Sequence, residues 1–431
     1  MAQGIEVALG GPNVVFAQRF GTTDGGGGGV RANSIGILSQ WRSTFLAAWV
    51  VITAAIPVMG GGAAQLPTTV VDFFQPGTQP DLSGGKDFDP IITSSSCSHC
   101  HDLPEPVEVP IYNRWAGSMM ANSARDPLFF ACLAIANQDA PGSGEMCLRC
   151  HAPGAWLAGR SNPPVPPANA LELAYEDRDG INCNFCHRMV DPVYLGGISP
   201  RRDEPILQAL SDAGLLPMQP GGAKYVIDPR DARRGPFDDV PKNLHGVEIV
   251  PSPFHLKSEL CGTCHEVSNP ALVKKQDGSY GPDTFNMPHP TQNPYEMFPH
   301  DRTYSEWANS QYATVGVDHG GVFGGNHPTG IMRSCQDCHM PLVETFGCAF
   351  QFEPFFMRPD VPSHDFNGGN TWVQNIIAML YPDDVSVRYL EESAERARIM
   401  LSKAATMVVS RDGCDIVVKI ENQNGHKLPT G

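Results

Sequence analysis

The sequence predicts a mainly α chain with much irregular loop, ended by a short β segment. Three observations predict it. The 431 residues hold 44 glycines and 39 prolines, above the usual combined share of roughly 12%, so long regular elements are few. One unit, Cys-x-x-Cys-His, recurs five times, and each copy fits a single helical turn. After residue 405 the apolar period changes from that of a helix to that of a strand. The charge balance, 30 basic against 46 acidic residues and a formal −16, argues against nucleic acid as a partner, which needs a basic face. It suits a partner protein with a basic docking surface.

Residues 1–30 hold a glycine tract, Gly25 to Gly29, and no periodic pattern. They read as a segment upstream of the true start. Residues 31–64 read as a signal peptide. Arg31 and Arg42 supply positive charge, Phe45 to Met59 is apolar, and Gly60 to Ala64 are small. Cleavage is expected after Ala63 or Ala64. The apolar run is short for a bilayer span of ~20 residues. The mature chain is therefore expected in the periplasm or outside the cell. Membrane association is expected only through an uncleaved signal anchor or through a partner.

Ten of the 13 cysteines lie in the repeated unit. The copies are Cys97–Cys100–His101, Cys147–Cys150–His151, Cys183–Cys186–His187, Cys261–Cys264–His265 and Cys335–Cys338–His339. Chance would place on the order of 0.01 copies in such a chain. The spacing has a chemical reason. Two cysteines three apart on a helical turn face the same way, so their sulfurs can take the two vinyl groups on one side of a haem. The histidine that follows then reaches the iron as proximal ligand. Zinc would not require a histidine after every pair, and five pairs leave one over. The reading is five covalently attached haems c, with iron on His101, His151, His187, His265 and His339. The fold expected from it is a multihaem-cored domain over 65–385, rich in loop.

Each six-coordinate haem needs a distal ligand. Nine histidines lie outside the proximal positions. His255, six residues before Cys261, is the first choice, followed by His245 in Leu-His-Gly. His99, His300, His289 and His426 are further candidates. His319, His327 and His364 sit in Pro/Gly-rich loops. Met119 and Met120 are the thioether alternatives. Of the other cysteines, Cys132 falls on an apolar stripe with Leu128, Phe129, Leu133 and Ala136. That stripe belongs to a helix begun by the cap Asp126-Pro127, so Cys132 is expected in the core. A Cys348–Cys414 disulfide is left open.

Ser161 to Ala168 is a proline-rich loop. Arg201 to Asp238 mixes charges and glycines and reads as a solvated surface excursion. Val387 to Ala404 is the clearest helix. Leu390, Ala394, Ala397, Leu401 and Ala404 line one face, expected to pack on the haem domain. Residues 386–405 are set apart as that helix. From 406 the chain reads as a β domain: strand Thr406–Ser410, turn Asp412-Gly413, strand Asp415–Asn422. Two strands cannot bury a sheet face alone. The sequence is therefore read as cut short, with a truncated β-sandwich-like segment at its C-terminus.

Several segments together carry a family resemblance. They are Trp115-Ala-Gly-Ser-Met-Met-Ala-Asn-Ser-Ala-Arg-Asp-Pro, Cys147-Leu-Arg-Cys-His-Ala-Pro and Asp179-Gly-Ile-Asn-Cys-Asn-Phe-Cys-His. Ser258-Glu-Leu-Cys-Gly-Thr-Cys-His-Glu-Val, Tyr304-Ser-Glu-Trp, Cys335-Gln-Asp-Cys-His-Met-Pro and the terminal Gly-His-Lys-Leu-Pro-Thr-Gly complete the set. Over roughly residues 90–431 the chain resembles multihaem c-type cytochromes of the cytochrome c-552/4 (cytochrome c-554-like) group. The resemblance implies a secreted electron-transfer protein with closely packed haems, and places His426 near a haem. Three functions follow from residues and resemblance. The first is an electron carrier. The second is an oxidoreductase acting on a small nitrogen or sulfur species at an open-site haem, with His289, His300 and Tyr295 as acid–base candidates. The third is a subunit of a haem-wire assembly.

Overall fold

The computed structural model describes residues 65–81, 87–102, 108–161, 173–240, 246–282, 284–348 and 357–430, and short backbone strands at 7–8 and 15–16. The expected signal peptide and His245 lie outside the described residues. Helices and small sheets alternate with long loops, as the glycine and proline content demands, and no barrel closes among the described residues.

Five short helices open the chain: α1 (Ser95–His101), α2 (Tyr112–Gly117), α3 (Pro127–Asp139), α4 (Gly144–His151) and α5 (Pro153–Leu157). Next come α6 (Cys183–Cys186), α7 (Asp203–Asp212) and α8 (Ser258–Gly262). Then follow α9 (Thr303–Ala308), α10 (Gln311–Thr314), α11 (Cys335–His339), α12 (Val373–Leu380) and α13 (Val387–Lys403). The cap Asp126 starts α3 as read: its Oδ1 accepts from Leu128 N at 2.8 Å, with Pro127 in the first turn. The face that α3 buries is a different one. Phe129, Leu133 and Asn137 are buried, whereas Leu128 and Cys132 are exposed. Apolar residues surround this helix, so periodicity alone does not choose the face.

The main core gathers Phe129 and Leu133 of α3, Leu148 of α4, Trp156 of α5, Phe185 of α6, and Tyr225 and Phe254 from connecting segments. Cys147, Cys150, Cys186 and Cys264 pack on its rim. Motifs two, three and four are thus arranged around one apolar centre.

Helix α13 forms over the predicted range, and its Leu390, Ala394 and Ala397 are buried. It packs on α2 so closely that a Cβ at Gly117 would overlap the Tyr389 carbonyl oxygen and lie 3.1 Å from Ser393 Cβ. Leu390 also joins Val373 and Ile377 of α12 in a small core that receives Met119.

Residues 201–238 correct only half of the expectation of a solvated excursion: 208, 209 and 211–214 are exposed, whereas 221–228 are buried. Arg234 has a fully buried side chain between Asp203 and Asp228, at 2.7 Å from each. Tyr225, Val226 and Ile227 are buried as well. The charges pair inward with one another, which lets the segment be part of the interior.

The sheets are small. A three-stranded sheet is centred on residues 267–274, and a parallel pair joins 233–235 to 249–251. The terminal hairpin pairs Ala405–Asp412 with Asp415–Asn422, with Asp412 opposite Asp415. The two-residue turn between them is Gly413-Cys414, and Gly413 has φ +59°, which a hairpin turn of this length requires. Met407, Val408 and Val409 are more than half exposed. Cys414 is an exposed free thiol in that turn, and Cys348 is a free thiol beside Cys100, so the two are not bridged.

Candidate haem centres

Every Cys-x-x-Cys-His unit begins on a helical turn: α1, α4, α6, α8 and α11 each carry at least the first cysteine. Local chemistry starts two of these turns. Asn182 Oδ1 accepts from Phe185 N at 2.8 Å ahead of α6. Ser334 and Asp337 form a reciprocal capping box on α11, with Asp337 Oδ2 accepting from Ser334 N at 2.9 Å.

Three of the five motif histidines share an orienting contact, and His151 Nδ1 is buried without one. Nδ1 of His101 bonds to Gly347 O at 2.8 Å, that of His187 to Arg234 O at 2.6 Å, and that of His339 to Asn367 O at 2.8 Å. A carbonyl accepts only, so Nδ1 carries the proton and Nε2 carries the lone pair that binds a metal. His151 packs face to face on Phe129, with ring centroids 3.9 Å apart. Burial pushes His151 and His339 down to about 4, so both are neutral imidazoles at neutral pH, the form that ligates.

The motifs touch one another. Cys97 and Cys183, Cys150 and Cys264, and Cys261 and Cys335 lie close enough for each sulfur to shift its neighbour's ionisation. Motif one therefore meets motif three, motif two meets motif four, and motif four meets motif five. Each of these sulfurs would sit at the edge of a porphyrin.

Two thiols on a turn followed by an imidazole are the requirements of haem c attachment, and in three of the motifs a backbone carbonyl also fixes the imidazole's tautomer. Residues 96–188, which hold the first three motifs, match the family model of cytochrome c554 and c-prime. That segment is cytochrome c-554-like. No curated protein matches the chain, and no solved structure does. The family carries covalently bound haem c, which in this chain would be held by the motif cysteines and would supply one-electron redox chemistry at iron.

The remaining histidines of the chain fall into distinct settings. His364 lies 6.4 Å from His187 between ring centroids, at 25°, and its Nδ1 bonds to Pro362 O at 2.9 Å. His426 lies 6.3 Å from His339, at 14°, and its Nδ1 bonds to Lys427 O at 3.0 Å. Metal–imidazole bonds of ~2 Å put the centroids of two trans imidazoles roughly 6 Å apart. Both pairs fit that separation. His255 stacks on His187 at 5.5 Å, but its Nε2 bonds to Cys186 O at 3.0 Å. Burial, with neighbouring His187 second, pushes His255 and His364 down to about 3. His289 is buried and its Nδ1 faces Thr291. His99 is exposed on α1, and His300 is exposed on the three-stranded sheet. Tyr295 is half-exposed against Ser305. Met119 is taken up by the α12–α13 core.

Sequence reasoning had no access to the acceptors Gly347, Arg234 and Asn367. They are backbone carbonyls far along the chain, and nothing in a residue's identity marks its carbonyl.

Proposed function

We propose that the chain is an electron carrier holding five haems c, exported to the periplasm or cell surface. The observation that carries the reading is the contact between sulfurs of different motifs. Thioethers at those positions bring the edges of successive porphyrins together, which is the condition for fast electron transfer between them. The contacts connect haem one to three, and two and five to four. Cys261 also feels the charge of Cys186, which sets centre three near centre four. The path is then one, three, four, five, with two as a branch at four. His364 serves as distal ligand opposite His187, and His426 opposite His339. The formal −16, before haem propionates are added, favours basic redox partners. No helix among the described residues is long and apolar enough to cross a membrane.

The test is spectroscopic. A pyridine haemochrome assay on the purified holoprotein should count five haems per chain, and any other count overturns the reading. Carbon monoxide added to the reduced protein should leave its spectrum unchanged. A stoichiometric adduct would instead support the open-site oxidoreductase.

A further inference from the structure

The C-terminal loop that carries His426 is gripped on both sides of that residue by α9 and α10. Glu306 of α9, almost fully buried, accepts from Lys427 N at 3.0 Å and from Thr430 Oγ1 at 2.8 Å through Oε2, and its Oε1 faces Lys427 Nζ at 3.5 Å. Tyr312 of α10 donates its hydroxyl to Gln423 O at 2.6 Å and also contacts His319 Nε2. The chain passes flat over the aromatic rings at Gly425. A Cβ there would lie 3.2 Å from Tyr312 and 3.5 Å from Trp307. Thr303 and Thr430 hydroxyls meet at 2.9 Å. Within the loop, Asn422 Nδ2 donates to His426 O at 2.7 Å.

The same helices hold the other side of the fifth centre. Trp307 Nε1 donates to Arg333 O at 2.7 Å, two residues before Cys335. One short helical pair therefore touches both the segment leading to His339 and the segment bearing His426. A carboxylate that receives a backbone N–H and a hydroxyl is a strong anchor, because charge-assisted bonds are roughly twice as strong as neutral ones.

We propose that Glu306 and Tyr312 are positioning residues for the fifth haem: by clamping residues 423–430 on α9 and α10 they hold His426 across from His339. The inference rests on the reading of His426 as a distal ligand. Neither residue touches the iron. They set the fraction of molecules in which the distal position is filled by the protein's own imidazole.

The test uses the holoprotein and three variants, His426→Ala, Glu306→Ala and Tyr312→Phe, with Glu306→Gln as the conservative control. Ferric spin state is read by electron paramagnetic resonance, and open sites by carbon monoxide uptake of the reduced protein. His426→Ala should convert one haem to high spin and bind one equivalent of carbon monoxide. Glu306→Ala should raise the open fraction of that same haem roughly tenfold. Added imidazole should restore its low-spin signal. Tyr312→Phe should move it in the same direction by less, and Glu306→Gln, which keeps an acceptor oxygen but loses the charge, should fall between wild type and Glu306→Ala. If His426→Ala opens no haem, the ligand assignment fails and the clamp with it. If His426→Ala opens a haem while Glu306→Ala and Tyr312→Phe keep the wild-type spin state, the clamp alone fails. Should Glu306→Ala not fold, Tyr312→Phe decides: a wild-type spectrum overturns the proposal.

Discussion

Replacing Arg234 by methionine tests the buried ion cluster in residues 201–238. The Arg234 side chain is fully buried, and Asp203 and Asp228 are 1% exposed. Loss of the guanidinium affects the two carboxylates unequally. Asp228 keeps Arg202 Nε at 2.6 Å and Arg230 N at 2.9 Å. Asp203 is left stranded, since its Oδ1 bonds to Arg234 and its Oδ2 has no partner. Breaking a buried pair in this way costs about 3–5 kcal/mol. Asp203→Asn, which leaves Arg234 on Asp228, should cost about 1–3 kcal/mol. The double variant should cost less than the two single losses together, because the stranded charge is gone. Guanidinium denaturation followed by far-ultraviolet circular dichroism at pH 7 measures all three. The sign with pH also follows. Burial raises the Asp203 carboxyl above its ordinary value. The folded state then binds the extra proton, and stability falls as pH climbs from about 4 toward the folded value. Without Arg234 that value rises further, so the deficit of Arg234→Met should be largest near neutrality and shrink toward pH 4. A loss below about 1 kcal/mol, or strict additivity in the double variant, would refute the reasoning.

Three further outcomes are open to measurement. Gly117→Ala should cost at least about 1–3 kcal/mol in the same denaturation assay, because its Cβ would strike the α13 backbone at Tyr389. Asp126→Ala should cost about 1 kcal/mol by removing the acceptor for Leu128 N, and hydrogen exchange should show the loss at the first turn of α3. Lys224 is pushed down to about 8, first by burial and then by Arg149. A depressed lysine binds fewer protons folded than unfolded, so stability should rise with pH between about 8 and 10.5. Lys224→Met should abolish that slope and stabilise the protein at pH 7, by at most on the order of 3 kcal/mol.

The local elements were the legible part of this chain. Asp126-Pro127 marked the start of α3, the stripe from Leu390 to Ala397 marked the buried face of α13, and Asp412-Gly413 marked the hairpin turn to within one residue. Each is a short-range signal that neighbouring residues can carry. The five motifs were legible for the same reason, since two cysteines and a histidine lie within five residues. What failed to show was partnership across distance. Cys132 looks like core because Leu128, Phe129 and Leu133 flank it, yet only tertiary packing selects the 129/133/137 face. The run from Arg201 to Asp238 looks solvated because it is charged, yet Arg234, Asp203 and Asp228 satisfy one another inside. The pairings of His364 with His187 and of His426 with His339 depend on loops whose composition says nothing of where they fold back.

The carbonyl that orients His101 belongs to Gly347, 246 residues further along the chain. Thioether bonds need only a local turn, but this contact needs nearly the whole domain to have closed. Contacts of such separation are the slow events of folding. On the proposed reading, haem attachment and the final ligand field at the first centre would be separate in time. The visible spectrum of a newly made chain would keep changing after the last covalent bond had formed, and the first haem would serve as a clock for the completion of tertiary structure.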